Sequence, residues 1–138
     1  MQLSDWLKRI SFKFLPASCP LCGMTSHHAG CCQACEAELP WLDYACRRCG
    51  NLLPFDAQAC GECLKQSPLY DNTIALFRYD APIDHLILSV KFSKNLAYAR
   101  MLGEMMSEKI RIYYEHDNFP DMILPVPLHT TRLTVRGF

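Results

Sequence analysis

The hydrophobic and polar positions divide this chain into three stretches. In the first 16 residues, Leu3, Trp6, Leu7, Ile10 and Phe14 recur at helical spacing behind Ser4 and Asp5, and Pro16 stops the pattern. This predicts a short amphipathic helix over 1–16, packed on the rest of the protein by its apolar face. From 17 to 67 no sustained apolar period exists, so a loop-rich module is expected there. Turn-forming residues around Pro68 mark a boundary, and periodicity returns beyond it. Thr73 to Tyr79 (TIALFRY) predicts a strand. Asp80, Ala81 and Pro82 predict a helix start with Asp80 as cap, followed by Ile83, Leu86, Ile87, Val90 and Phe92 at roughly helical period. A second helix is predicted from about Leu96 to Tyr114. Its apolar side carries Leu96, Met101, Leu102, Met105, Met106, Ile110 and Tyr113, with the methionines as core filler. Asp121 to Val126 (DMILPV) predicts a buried strand ended by Pro125 and Pro127. The order β-α-α-β opens an α/β domain over 70–138. A sheet left one strand and one loop later would expose an apolar face and an edge, so the chain reads as a fragment.

The cysteines explain how the middle stretch folds without a hydrophobic core. Four Cys-x-x-Cys pairs fall within 45 residues: Cys19/Cys22, Cys32/Cys35, Cys46/Cys49 and Cys60/Cys63. Two intervening residues let both sulfurs face one centre from a tight knuckle, as a tetrahedral metal site requires. The first pair maps onto the third by a shift of 27 residues and the second onto the fourth by 28, so the array is an internal repeat. Each unit can close alone. This predicts a double zinc ribbon over 17–67 with sequential ligation: Cys19, Cys22, Cys32 and Cys35 on one Zn²⁺, Cys46, Cys49, Cys60 and Cys63 on the other. The alternative is a cross-braced arrangement of pairs one with three and two with four. Cys31 is left over, because only Cys32 keeps the two-residue spacing to Cys35. His27 and His28 are further candidate ligands, but four cysteines already fill a closed site. Closed sites are structural, not catalytic. Gly23 and Gly50 follow the second cysteine of a knuckle, where positive φ is needed. Trp41, Leu42 and Tyr44, between the units, are expected to pack them together.

Composition changes this picture little. Lys plus Arg and Asp plus Glu are 14 each, and the balance holds in both halves, so no basic excess points to nucleic acid. Each four-thiolate zinc site adds a net charge of about −2. The nine cysteines are odd in number, and the basic, interrupted N-terminus is no signal peptide, which argues against a disulfide framework. A reducing, cytoplasmic compartment is expected, with no membrane span.

A second constellation lies at the end: Leu124-Pro125-Val126-Pro127-Leu128-His129, then Arg132, Arg136 and Gly137. Ligands in open α/β sheets sit off the carboxyl ends of strands. Arginine matches phosphate with its planar fork of donors. A double cysteine ribbon, then A-L-F-R-Y-D (Ala75 to Asp80), L-S-V-K-F (Leu88 to Phe92) and P-V-P-L-H…R…R-G-F (Pro125 to Phe138), resembles the ComF/GntX family over nearly all of residues 17–138. These are bacterial proteins linked to competence and use of incoming DNA. The resemblance implies a small zinc-ribbon module followed by the truncated start of an α/β, type I phosphoribosyltransferase-like domain. It implies that the P-V-P-L-H…R-G-F region meets the pyrophosphate side of phosphoribosyl pyrophosphate. Pro127, Leu128 and His129 would be loop, Arg132 and Arg136 phosphate partners, and Lys91 a further candidate. The family's paired-acid, Thr/Gly-rich loop is absent here, so these residues alone are expected to be inactive, with Mg²⁺ relevant only to the complete domain. Two non-enzymatic readings remain open. One is a module holding single-stranded DNA or a competence-machinery protein through Arg47, Arg48, Trp41 and Tyr44. The other is a folding cap for the α/β domain.

Overall fold

A computed structural model describes residues 17–26, 30–115 and 119–136. The expected helix over 1–16, together with His27, His28, Gly137 and Phe138, lies outside the described residues.

The middle stretch folds as its lack of periodicity implies, in very short elements. β1 (Ala17–Ser18) pairs antiparallel with β2 (Thr25–Ser26), Ala17 opposite Ser26. The helices α1 (Gln33–Ala37) and α2 (Gly61–Lys65) are five residues each. Such elements bury too little apolar surface to hold themselves. Their order comes from turns, each anchored on a cysteine.

The two long helices follow the apolar period. α3 spans Ile83–Ser93 and α4 spans Leu96–Tyr113. Lys94, at φ 54°, takes the left-handed turn between them. The Asn95 side chain then accepts the Tyr98 N–H at 3.2 Å and so caps α4. Ile83, Leu86 and Met101 from the facing helices are buried together with Cys19, Cys31 and Leu39. Ile87, Tyr98, Leu102 and Met105 pack against this cluster. Of the three methionines, Met101 is the one fully buried. Phe92, Leu96 and Tyr113, expected on the apolar side, are exposed, because the helix ends run past the core. Asp80 does not cap α3. Pro82 occupies the cap position, and the Asp80 carboxylate lies 3.7 Å from Arg78 instead.

Both predicted strands are corrected. Residues 73–79 form no continuous strand. Phe77 makes a single antiparallel bridge with Trp41, flanked by Leu42 N–H to Leu76 C=O and Arg78 N–H to Pro40 C=O, each 2.9 Å. The Trp41 and Phe77 rings meet at 4.6 Å. The piece between the cysteine units is therefore clamped to residues 76–78. Trp41 and Leu42 serve that clamp, not a contact of one unit with the other, and Tyr44 is exposed. Residues 121–127 form no strand, and Ile123, Leu124 and Val126 are each more than four-fifths exposed. An apolar strand of this type needs neighbours along both edges and cover on both faces. Among the described residues none runs beside it. An α/β sheet is thus not formed by the described residues. The described elements beyond residue 80 are α3, α4 and a last helix, α5 (Thr130–Arg136).

The core assignment is tested by paired substitutions in α3. Leu86→Ala should cost about 2–5 kcal/mol in urea unfolding, the usual range for a truncated buried leucine. Phe92→Ala, six residues on but exposed, should stay within about 0.5 kcal/mol. Equal losses would mean that the helix faces are misassigned.

Candidate metal centres and a cationic cleft

The repeat in the sequence is a repeat in hydrogen bonding. Cys19 N–H donates to Met24 C=O at 2.7 Å, and Cys46 N–H to Asn51 C=O at 2.8 Å. Gly23 N–H returns to Cys19 C=O, and Gly50 N–H to Cys46 C=O, both at 2.8 Å. Gly23 and Gly50 take φ of +74° and +75°, the left-handed values that the knuckle turn demands. The second pair of each unit sits at the start of a short helix, with Cys32 and Cys60 both extended at its N-terminal boundary. A knuckle and a helix start thus face each other across each site.

This brings together Cys19, Cys22, Cys32 and Cys35 in one group, and Cys46, Cys49, Cys60 and Cys63 in another. Within each, all sulfurs lie within 4.8 Å of one another. The grouping is sequential, not cross-braced. The Cys22–Cys32 and Cys49–Cys60 sulfurs are 3.6 and 3.7 Å apart. A tetrahedron with Zn–S bonds of about 2.3 Å has edges of about 3.8 Å, so the sulfurs already stand at the separation a zinc ion imposes. Electrostatics agree. Burial pushes the Cys19 thiol up, but backbone N–H groups of Cys32, Cys22 and Leu21 outweigh it and hold it at about 6. Backbone N–H groups of Cys49, Cys60 and Arg48 do the same for Cys46, against burial, again to about 6. The donors are the same positions in the two repeats. Hydrogen bonds with Cys32 and Cys22 raise Cys35. Burial, then Cys49 and Cys60, push Cys63 up to about 12. Four such sulfurs ionise together only around a cation, and the donor set, all soft thiolate, suits zinc.

Cys31 stands outside the first group and is buried in the core. Burial first, then the neighbouring Cys19, push its thiol up to about 11. Of the other residues noted in the ribbons, Arg47 and Arg48 are exposed, whereas the Trp41 ring is half-buried against Phe77 and donates from Nε1 to Glu36 C=O at 2.8 Å.

The predicted phosphate partners are divided. Lys91 on α3 and Arg132 and Arg136 on α5 line one cleft of about 370 Å³. The two arginines belong to a helix, not to a loop, and their four-residue spacing puts them on one face. Pro127, Leu128 and His129 precede α5 and do not line the cleft. His129 accepts the Thr131 N–H on Nδ1 at 3.3 Å, a local bond at the helix start. Leu88, Phe92, Thr131 and Val135 complete the cleft. In sequence, Leu88 and Phe92 stand only within the Leu88 to Phe92 motif, and Phe92 on the apolar side of its helix, not as cleft residues. Thr131 and Val135 needed α5 itself. Among the described residues no helix is long and apolar enough to cross a membrane.

Two outcomes test the metal centres. The purified chain should carry close to two zinc ions, released on acidification because protons compete for the thiolates; a count well below two refutes the sites. Each knuckle glycine replaced by alanine should lose about 1–2 kcal/mol from the left-handed turn. Gly50→Ala should lose more than Gly23→Ala in thermal unfolding, because its new Cβ would lie 3.0 Å from Thr73 Cγ2, while the space around Gly23 is open.

Comparison with known proteins agrees with this geometry. Residues 12–64 match the double zinc ribbon domain family. Competence protein F of Haemophilus influenzae is 33% identical over 111 residues, 79% of this chain and 48% of that protein. DNA utilization protein YhgH of Salmonella typhimurium is 27% identical over 128 residues, 90% of this chain and 56% of that protein. YhgH of Escherichia coli strain K12 is 28% identical over the same length. The chain spans about half the length of the curated relatives it matches. No solved structure matches it significantly. The two four-cysteine sites and the ribbon match support two structural zinc ions. With its double zinc ribbon and its likeness to competence protein F and YhgH, the chain belongs to the ComF family.

Proposed function

We propose that this chain is the zinc-stapled front of a competence and DNA-utilisation protein, and that its cationic cleft takes the phosphate end of a phosphorylated ligand such as phosphoribosyl pyrophosphate. In this reading the zinc ligands are the sequential sets, Cys19, Cys22, Cys32 and Cys35, and Cys46, Cys49, Cys60 and Cys63. Both ions are structural, since four thiolates leave no open position for chemistry. The domains divide at 1–16, 17–67 and 70–138, and the thiolates suit a reducing cytoplasm.

One observation carries the ligand reading: Lys91 of one helix and Arg132 and Arg136 of another, 41 residues on from Lys91 at Arg132, line the same cleft, with no carboxylate in its lining among the described residues. Arginine forks on one helix face give paired donors, and Lys91 adds a point charge opposite. Pyrophosphate or a phosphoribosyl group answers that arrangement. The chain itself would bind and not turn over, because the paired-acid, Thr/Gly-rich loop that should hold the ribose and 5′-phosphate is not in its sequence. Mg²⁺ would enter only with the complete domain.

A second reading, a non-catalytic module for single-stranded DNA or a partner protein in DNA uptake, is favoured by the exposed Arg47, Arg48 and Tyr44 on and before the third knuckle. The names of the relatives, competence protein F and DNA utilization protein, suit both readings.

Calorimetric titration of phosphoribosyl pyrophosphate into the full-length protein with Mg²⁺ separates them. Binding is expected, weakened about tenfold or more by Arg132→Ala with Arg136→Ala, as each charged hydrogen bond contributes about 1.5–3 kcal/mol. No heat sinks the ligand reading. For the second reading, DNA affinity that Arg47→Ala and Arg48→Ala leave unchanged, or that does not fall with salt, removes the proposed contact.

A further inference from the structure

We infer that the two zinc sites are unequal: the first is a keystone of the hydrophobic core, and the second is an appendage whose zinc can leave while the core stays folded. The inference rests on the zinc assignment above but not on the ligand reading.

The two units have the same local hydrogen bonds, yet their surroundings differ. In the first, Cys19 belongs to the buried cluster with Ile83 and Leu86 of α3 and Met101 of α4. Cys32 and Cys35 pack against the same cluster, so three of the four sulfur-bearing residues of that site touch the core. Leu21, inside the first knuckle, packs there too. In the second, Cys46 and Cys63 are buried, but none of its four cysteines belongs to the cluster or packs against it among the described residues. Among the described residues its attachments to the rest of the fold centre on Thr73. Thr73 N–H donates to Arg47 C=O at 2.8 Å, and the Thr73 hydroxyl to Arg48 C=O. Gly50 faces Thr73 and Ala75. Around it, Leu52, Phe55 and Leu64 are exposed. The second site is therefore buried inside its own turns, not in the protein.

Linkage turns this difference into unequal affinities. If zinc at the first site and packing of α3 on α4 stabilise each other, removing core contacts must weaken zinc there by the same factor. Among the described residues the second site has no such partner in the core. Its zinc answers to its own turns and to the Thr73 contacts.

The test is an equilibrium competition. The zinc-loaded chain is titrated with a metallochromic chelator, while zinc release and the far-ultraviolet helix signal are recorded together. Two steps of one zinc each are expected, the first leaving the helix signal intact and the second abolishing most of it. Met101→Ala should weaken zinc in the second step by about fivefold or more and leave the first unchanged. Cys60→Ser with Cys63→Ser should give a chain holding one zinc with its helix signal and cooperative unfolding retained. A single step carrying both zincs and the helix signal overturns the inference. So does Met101→Ala weakening both steps equally, or a Cys60→Ser, Cys63→Ser chain that binds no zinc or has lost its helices. Fewer than two zincs at the outset refutes the zinc assignment together with the inference; two zincs released in one step refute the inference alone.

Discussion

The constraint beneath this structure is that thiolates repel. Two unit charges about 4 Å apart repel by about 4 kcal/mol at an effective dielectric of 20, and each site holds four sulfurs within 4.8 Å. Without a cation the charge must be shared unevenly, and the surroundings of each sulfur set how. One sulfur per unit, Cys19 or Cys46, is held near 6 by backbone N–H groups, while Cys35 is raised by hydrogen bonds with the sulfurs around it and Cys63 by burial first and then by Cys49 and Cys60. The same asymmetry appears at equivalent positions of both repeats. A divalent ion removes it by letting all four ionise. That is why residues 17–67 can dispense with a core of their own: the stabilisation that burial gives elsewhere is supplied here by metal–sulfur bonds, available only in the folded geometry.

What burial there is gathers where the first unit meets the helices. α3 and α4 contribute Ile83, Leu86 and Met101, and the chain gives them Cys19, Cys31 and Leu39 as a third side. Residues 40–42 carry the connection onward. The Trp41–Phe77 ring contact and the backbone bonds on either side fix the chain leaving the first unit to the chain entering α3. Cys31 is not a spare ligand but a small apolar side chain buried in that cluster beside Cys19.

How much of this was legible in sequence follows from how local each signal is. The cysteine spacing is local chemistry, and the sequential grouping could be read from a repeat in which each unit closes alone. α4 was legible to within one residue because 18 residues of helical period leave little ambiguity. The strands were not, because a strand is defined by what lies beside it. TIALFRY has strand composition, yet its neighbour is a loop, and a single bridge at Phe77 results. DMILPV has the composition of a buried strand, yet nothing described here runs beside it. Asp80 failed as a cap for a related reason: Arg78, two residues earlier, is within reach of its carboxylate.

The cleft shows where sequence reasoning stops and why. Lys91, Arg132 and Arg136 were each visible as cations, but a cation in a sequence has no neighbours. Two things had to be added. Residues 130–136 had to be helical, which turns Arg132 and Arg136 from loop charges into two donors on one face. That helix then had to share a cleft with α3, which brings Lys91 to the same opening and adds Leu88 and Phe92 to its lining. Three positive charges beside apolar surface have no carboxylate facing them in the cleft among the described residues. Leu88, Phe92 and Val135 are themselves exposed, so water screens these charges; in the proposed ligand reading an anion would be held there by the geometry of the arginine forks and not by burial.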